Sequence, residues 1–281
     1  MMSKPEPQPK TLEEHREYLY GIVKLQLFYL HVRQTELDPD EPFRDAIRNR
    51  VDIYRKTEAN PGPLNPPELF FDTPAWTVME DRAMALMEKY NSSSEADRKN
   101  FEEEAFLVFK DSIDQRCERD YRDPSVLARY QCGSLRHDLE LQPTGYLGFH
   151  IANSVAPRSI FDDPLHIPRC LRALLRVAEE TYHAKGLYTR TWLNSSERWV
   201  ACFPKAWKDN LSEPADPVRA AGWHYGWWGQ FISARGTLQK KNAAFMRANK
   251  TFPYLPRASQ ATIAEFKEHL ANSPDNNETE G

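Results

Sequence analysis

The apolar residues of this chain change their period sharply near Cys132. From Thr11 to about residue 130 they recur every three to four positions, and from Cys132 onward the first strong pattern alternates every second position. A period near 3.6 buries one stripe of a helix, whereas a period of two buries one face of a strand. A chain that makes this switch cannot be only a bundle or only a sandwich. It must set a helical part before a part that contains a sheet, which is the α+β class.

In the first part, "TLEEHREYLYGIVKLQLFYLHVRQTEL" carries Leu19, Ile22, Val23, Leu27 and Leu30 at helical spacing, with Thr11 and Glu14 as a capping box. A second helix is expected over 41–57, with Phe43, Ile47, Val51 and Tyr54 on one face. Prolines and a glycine make 58–74 a loop, and further helices are expected over 75–90 and 94–120. In the second part, "GSLRHDLEL" and "TGYLGFHIAN" read as strands joined by a hairpin. The amphipathic helix 165–186, a strand "LYTRTWL", a short helix "SERWVACF", a strand "WWGQFIS" and two closing helices follow. The expected division is a disordered lead-in 1–10, a helical domain 11–130, an α+β domain 131–272 and a disordered tail 273–281.

Composition narrows the function. The 281 residues sum to a net charge of −4, so the chain as a whole does not attract nucleic acid. No apolar run approaches the roughly 20 residues of a membrane helix. The start, "MMSKPEPQPK", lacks a leader's apolar segment. The four cysteines form no CxxC, which fits a reduced, cytoplasmic protein with no membrane partner.

Three stretches concentrate residues that can do chemistry, and each follows an expected strand, where loops commonly present polar groups to ligands. In "HIANSVAPRSIFDD", His150 is a candidate general base, Asn153 a substrate contact, and Arg158 a holder of carboxylate or phosphate through its planar fork. Asp163 is either a substrate contact or, with Asp162, a cap for the next helix. In "TWLNSSERW", Trp192 lines the site, Asn194 orients a carbonyl, and Ser195 and Arg198 contact substrate. The plain alternatives are an N-cap and a surface ion pair. In "AGWHYGWWGQFISARG", His224 and Tyr225 could move protons, Trp228 forms part of an aromatic wall, and Gln230 offers a polar handle. The competing reading of that stretch is a tryptophan-rich core seam. His150, His166, His224 and an aspartate could instead hold iron or zinc, although no HxD or HExxH pattern is present.

The segment "GSLRHDLEL…GYLGFHIANSVAPRS…TWLNS" resembles a bacterial two-domain family of GNAT-like acyltransferases, over about residues 132 to 203. The resemblance rests on the Leu-Gly-x-His-Ile run Leu147–Ile151 and on Thr191-Trp192-Leu193-Asn194, which stands where the family has Ser-Trp-Leu-Leu. It implies a helical N-terminal domain followed by a GNAT-like mixed sheet flanked by helices, with His150 and Trp192 lining the site. Ala152-Asn153-Ser154 replaces the family's proline, glutamate and glycines, and the family's pyrophosphate loop is absent. The expected activity is therefore transfer of an acyl or aminoacyl group to a small-molecule amine, with no bound cofactor. The donor would be a coenzyme A thioester or, since the pyrophosphate loop is missing, an aminoacyl-tRNA. Alternatives are a tRNA-dependent cyclodipeptide-synthase-like enzyme, a mononuclear non-haem metal enzyme, and a non-catalytic aromatic-pocket binding module.

Overall fold

The computed structural model describes residues 7–62 and 69–272. Most of the expected lead-in, the middle of the loop 58–74 and the tail 273–281 lie outside the described residues. The helices, in chain order, are α1 (Leu12–Val32), α2 (Phe43–Asn49), α3 (Pro74–Lys89), α4 (Glu95–Arg122), α5 (Ser125–Ala128) and α6 (His166–Glu180), then α7 (Glu197–Val200), α8 (Lys205–Asp209), α9 (Tyr225–Trp228), α10 (Lys240–Asn249) and α11 (Ile263–Ala271). The strands are β1 (Leu135–Leu141), β2 (Tyr146–Ile151), β3 (Gly186–Thr191) and β4 (Arg257–Thr262). The architecture is α+β. The chain divides into a helical unit, 9–125 with 216–253, and a sheet unit, chiefly 126–215 with 254–272.

The helical unit is built on α1 against α4. α1 begins as its sequence dictates: Thr11 Oγ1 accepts from the Glu14 amide at 3.1 Å, and Glu14 Oε2 accepts from the Thr11 amide at 2.8 Å. Its Leu19, Ile22, Val23, Leu27 and Leu30 are all buried, as are Phe101, Phe109 and Ile113 of α4. The expected helix over 41–57 stops at Asn49. Residues Tyr54–Lys56 instead form a 3-10 turn that carries Arg55 and Lys56 into the interior.

Residues 216–253 group with the helical unit, apart from the rest of the stretch 131–272. The reason is aromatic. Trp228 meets Tyr29 at 5.6 Å between ring centroids, and Phe252 meets Tyr29, Trp227 and Trp228 at 5.2, 5.0 and 5.2 Å. The Trp228 indole also donates to the Arg50 carbonyl at 2.9 Å. The expected strand 227–233 is therefore helical, α9 followed by a 3-10 turn at Gly229–Phe231. Trp227, Trp228 and Phe231 are core residues with helical, not alternating, spacing.

In the sheet unit the strand order is β1-β2-β3-β4. β1 and β2 are antiparallel, β2 and β3 parallel, and β3 and β4 antiparallel. The parallel pair requires a crossover, and α6 supplies it. Leu135, Leu147, Phe149, Leu187 and Ala261 project from the strands into one core with Leu171 and Leu174 of α6, Phe266 of α11, and Trp199, Phe203 and Trp207. β4 replaces an expected loop and the start of an expected helix. Its inward residues are Ser259 and Ala261, too small and polar to display a period-two apolar signal.

Candidate active site

Alternation along the strands decides which side chains leave the core. Leu147 and Phe149 of β2 point inward, so Tyr146, Gly148 and His150 lie on the opposite face. On β3, Leu187 and Thr189 are buried and Tyr188 and Arg190 share the outer face. On β1, Arg136 pairs across the sheet with His150.

On this outer face His150 Nε2 lies 2.7 Å from Asp138 Oδ1, with the imidazole half exposed. The hydrogen bond to His150 is the chief cause that holds the Asp138 carboxyl below the usual aspartate range, aided by the charges of His150 and Arg136. An ionised carboxylate only accepts, so Nε2 carries a hydrogen, and in the neutral imidazole the lone pair is then on Nδ1. Gly148 makes the pair possible: a Cβ at that position would collide with Asp138 Oδ2.

β2 and β3 pair in register at Tyr146–Gly186, Leu147–Leu187 and Gly148–Tyr188. Both strands run three residues further, β2 held by β1 to Ile151 and β3 held by β4 to Thr191. Beyond Gly148 the link between them is a side chain, Thr189 Oγ1 donating to the Phe149 carbonyl at 2.7 Å. The sheet thus loosens between its two central strands beside His150.

The loop after β2 is held by its own polar groups. Asn153 donates to the Arg158 carbonyl at 2.7 Å and accepts from the Val155 amide at 3.2 Å. Asp162 accepts from the Ser159 amide, and Asp163 accepts from the Leu165 amide at 2.9 Å and from Arg169 at 3.0 Å. Asp163 therefore closes a turn just before α6, whose N-cap residue Leu165 makes no side-chain cap bond. Buried Ser134 binds Ser154 at 2.7 Å and His166 at 2.8 Å. The Arg158 side chain is exposed.

Asn194 is built into the core. Its Nδ2 donates to the carbonyls of Thr189 and Arg257 at 3.3 and 2.8 Å, and its Oδ1 accepts from the indoles of Trp199 and Trp207 at 3.1 and 3.2 Å. Every hydrogen-bonding position of the amide is filled, leaving none for a substrate carbonyl. Ser195 donates to the Leu255 carbonyl at 2.6 Å, and Arg198 donates to the Phe161 carbonyl at 2.6 Å while lying over the Phe161 ring. Trp192 is partly exposed and packs in a tilted arrangement against Tyr254, with ring centroids 5.8 Å apart.

His224, Tyr225, Trp228 and Gln230 lie in the helical unit. Trp228 and Gln230 are buried, and the Gln230 amide donates to the Trp227 carbonyl at 2.8 Å. Exposed His224 sits against Gly222 and Gly226, where added Cβ atoms would meet its ring. The glycines of "AGWHYGWW" thus make room for an imidazole rather than for a ligand. Tyr225 belongs to a buried ionic cluster. Arg55 grips Asp52 through Nε and Nη2, and its guanidinium lies 4.6 Å from the Trp223 ring and 4.8 Å from the Tyr225 ring. Lys56 reaches Asp52 and the Tyr225 hydroxyl, each at 3.3 Å. Burial opposes the Lys56 charge, but Asp52 with the phenols of Tyr225 and Tyr18 outweighs it and raises the ammonium's pKa. Nearby, burial and the charges of Lys10 and Lys56 depress His15 to about 3. Burial, then Lys56, lowers Lys10 to about 8.

Among the described residues no three His, Cys, Asp or Glu side chains group so as to hold a metal, and no helix is long and apolar enough to cross a membrane. His150 and His166 are engaged with Asp138 and Ser134 respectively. Two residues of this site had not been singled out from the sequence, Arg136 and Asp138. Their signal was a glycine at mid-strand in "GYLGFHI", two residues before the histidine and across the hairpin from "RHD". Set against protein-family models, curated proteins and solved structures, the chain matches none.

Proposed function

We propose that the sheet unit catalyses transfer of an acyl or aminoacyl group to an amine, with His150 as general base. The observation that carries this reading is the Asp138–His150 pair: a carboxylate orients a half-exposed imidazole whose second nitrogen is left to accept a proton. The amine's nitrogen forms a bond to the acyl carbon and loses a proton to His150 Nδ1. The bond from that carbon to the leaving group breaks, and the leaving group takes the proton or departs as an anion. Asp138 stabilises the imidazolium that forms.

The loosened seam between β2 and β3 supports the same reading. Strand edges without a ladder partner can bind an extended, amide-containing chain, and this seam opens beside His150. The donor is an acyl thioester or an aminoacyl ester. The direct test is to incubate the protein with panels of both donor types and amines, and to search for new amides by mass spectrometry. An amide formed by the wild type at a rate that His150→Ala leaves unchanged would remove His150 from the mechanism.

A further inference from the structure

We propose that the acceptor amine also carries a carboxylate, and that Arg136 and Arg190 hold it beside His150. This rests on the transferase reading above and names its substrate class. Arg136 is the direct cross-strand neighbour of His150. Arg190 stands two residues beyond Tyr188 on β3, just as His150 stands two residues beyond Gly148 on β2. The three side chains therefore come from three consecutive strands of one sheet face, with about 5 Å between the paired β1 and β2.

Neither arginine is tied to a protein acceptor among the described residues. Arg136 Nε is buried with no hydrogen-bond partner, and its guanidinium lies 6.0 Å from the Tyr130 ring. Among the described residues, neither Arg136 nor Arg190 forms a hydrogen bond or an ion pair through its side chain. Elsewhere in the chain the buried arginines Arg33, Arg55 and Arg116 each meet a carboxylate. On this face Asp138 is committed to His150, and Glu140 is exposed farther along β1. The outer face thus holds two guanidinium forks with no protein acceptor among the described residues, Arg136 with its Nε buried and Arg190 exposed. A planar carboxylate satisfies such forks with paired, charge-assisted hydrogen bonds. An acceptor with amine and carboxylate close together, as in an amino acid, would present its nitrogen to His150 Nδ1 while the arginines anchor its acid group.

The test reads binding without turnover. The full chain, with isotope-labelled histidine rings, is titrated with sodium acetate and with sodium phosphate against sodium chloride at matched ionic strength. The His150 ring signals should shift saturably with acetate. Arg136→Gln and Arg190→Gln should each bind acetate about tenfold more weakly, and Lys208→Gln, at an exposed position, should bind like the wild type. A response to acetate no larger than to chloride, or unchanged binding in both arginine variants, would overturn the proposal. Phosphate binding much more tightly than acetate would overturn the carboxylate assignment. Anion binding that depends on the arginines without any amide transfer sinks the transferase reading and leaves the carboxylate site at Arg136 and Arg190 standing. His150-dependent transfer with no loss in either variant sinks only this inference.

Discussion

The two units treat charge in opposite ways. In the helical unit, Asp52, Arg55, Lys56 and Arg116 are almost wholly buried, and each is paired: Arg55 and Lys56 share Asp52, and Arg116 meets Asp120. On the outer face of the sheet unit, Arg136 and Arg190 meet no carboxylate among the described residues, and His150 uses one ring nitrogen to bind Asp138. Buried charge is tolerated when its partners are supplied by the fold, and removing one partner is then costly. Charge left unpaired on a sheet face does nothing for stability. The lesson is to look for function where hydrogen-bonding capacity is unspent, and for structure where it is saturated, as at Asn194.

This contrast can be broken at either end. His150→Ala should lower amide formation by about 10²–10⁴-fold, the usual contribution of a positioned base, while thermal unfolding stays near that of the wild type because the ring is half exposed. Asp52→Asn should do the reverse. It leaves Arg55 and Lys56 without their carboxylate and should destabilise the helical unit by about 3–5 kcal/mol, measurable by urea unfolding. A neutral result there would mean that the ionic cluster is not what organises that unit. Gly148→Ala tests the link between backbone and dyad. By displacing Asp138 it should cost about 10–100-fold in rate, the scale of losing a supporting hydrogen bond, with the fold retained by circular dichroism.

The most gradual effect is a pH dependence. His15 has a folded-state pKa of about 3 against an ordinary value of 6.5. Between those values the unfolded chain binds the proton and the folded chain does not. Stability of the helical unit should therefore fall as pH drops from about 6.5 towards 3, by up to about 1.4 kcal/mol per pH unit from this group. His15→Phe should flatten that slope in denaturation curves recorded across the same window.

Local signals were legible in the sequence and long-range ones were not. The Thr11–Glu14 capping box, the periodic stripe of α1 and the β1–β2 hairpin follow from residues close together in the chain. β4 was hidden because Ser259 and Ala261 face the core without being strongly apolar. The stretch 227–233 reads as a strand in the sequence, because its burial is decided by Tyr29 and Phe252, distant in sequence. His150 stood out by type. Asp138 did not, since a carboxylate at an alternating position of a strand reads as solvent-facing until its cross-strand neighbours are known. Asn194 looked catalytic for the same reason: only the fold brings two indoles and two carbonyls to its amide.

The central claim is that Asp138 fixes the tautomer of His150, and ring ¹⁵N chemical shifts of His150 in the resting protein test it most directly. In the neutral imidazole the account predicts a protonated Nε2 and a bare Nδ1, with the preference weakened in Asp138→Asn. A bare Nε2 with the proton on Nδ1 would contradict it, because the nitrogen facing substrate would then have no lone pair with which to take a proton.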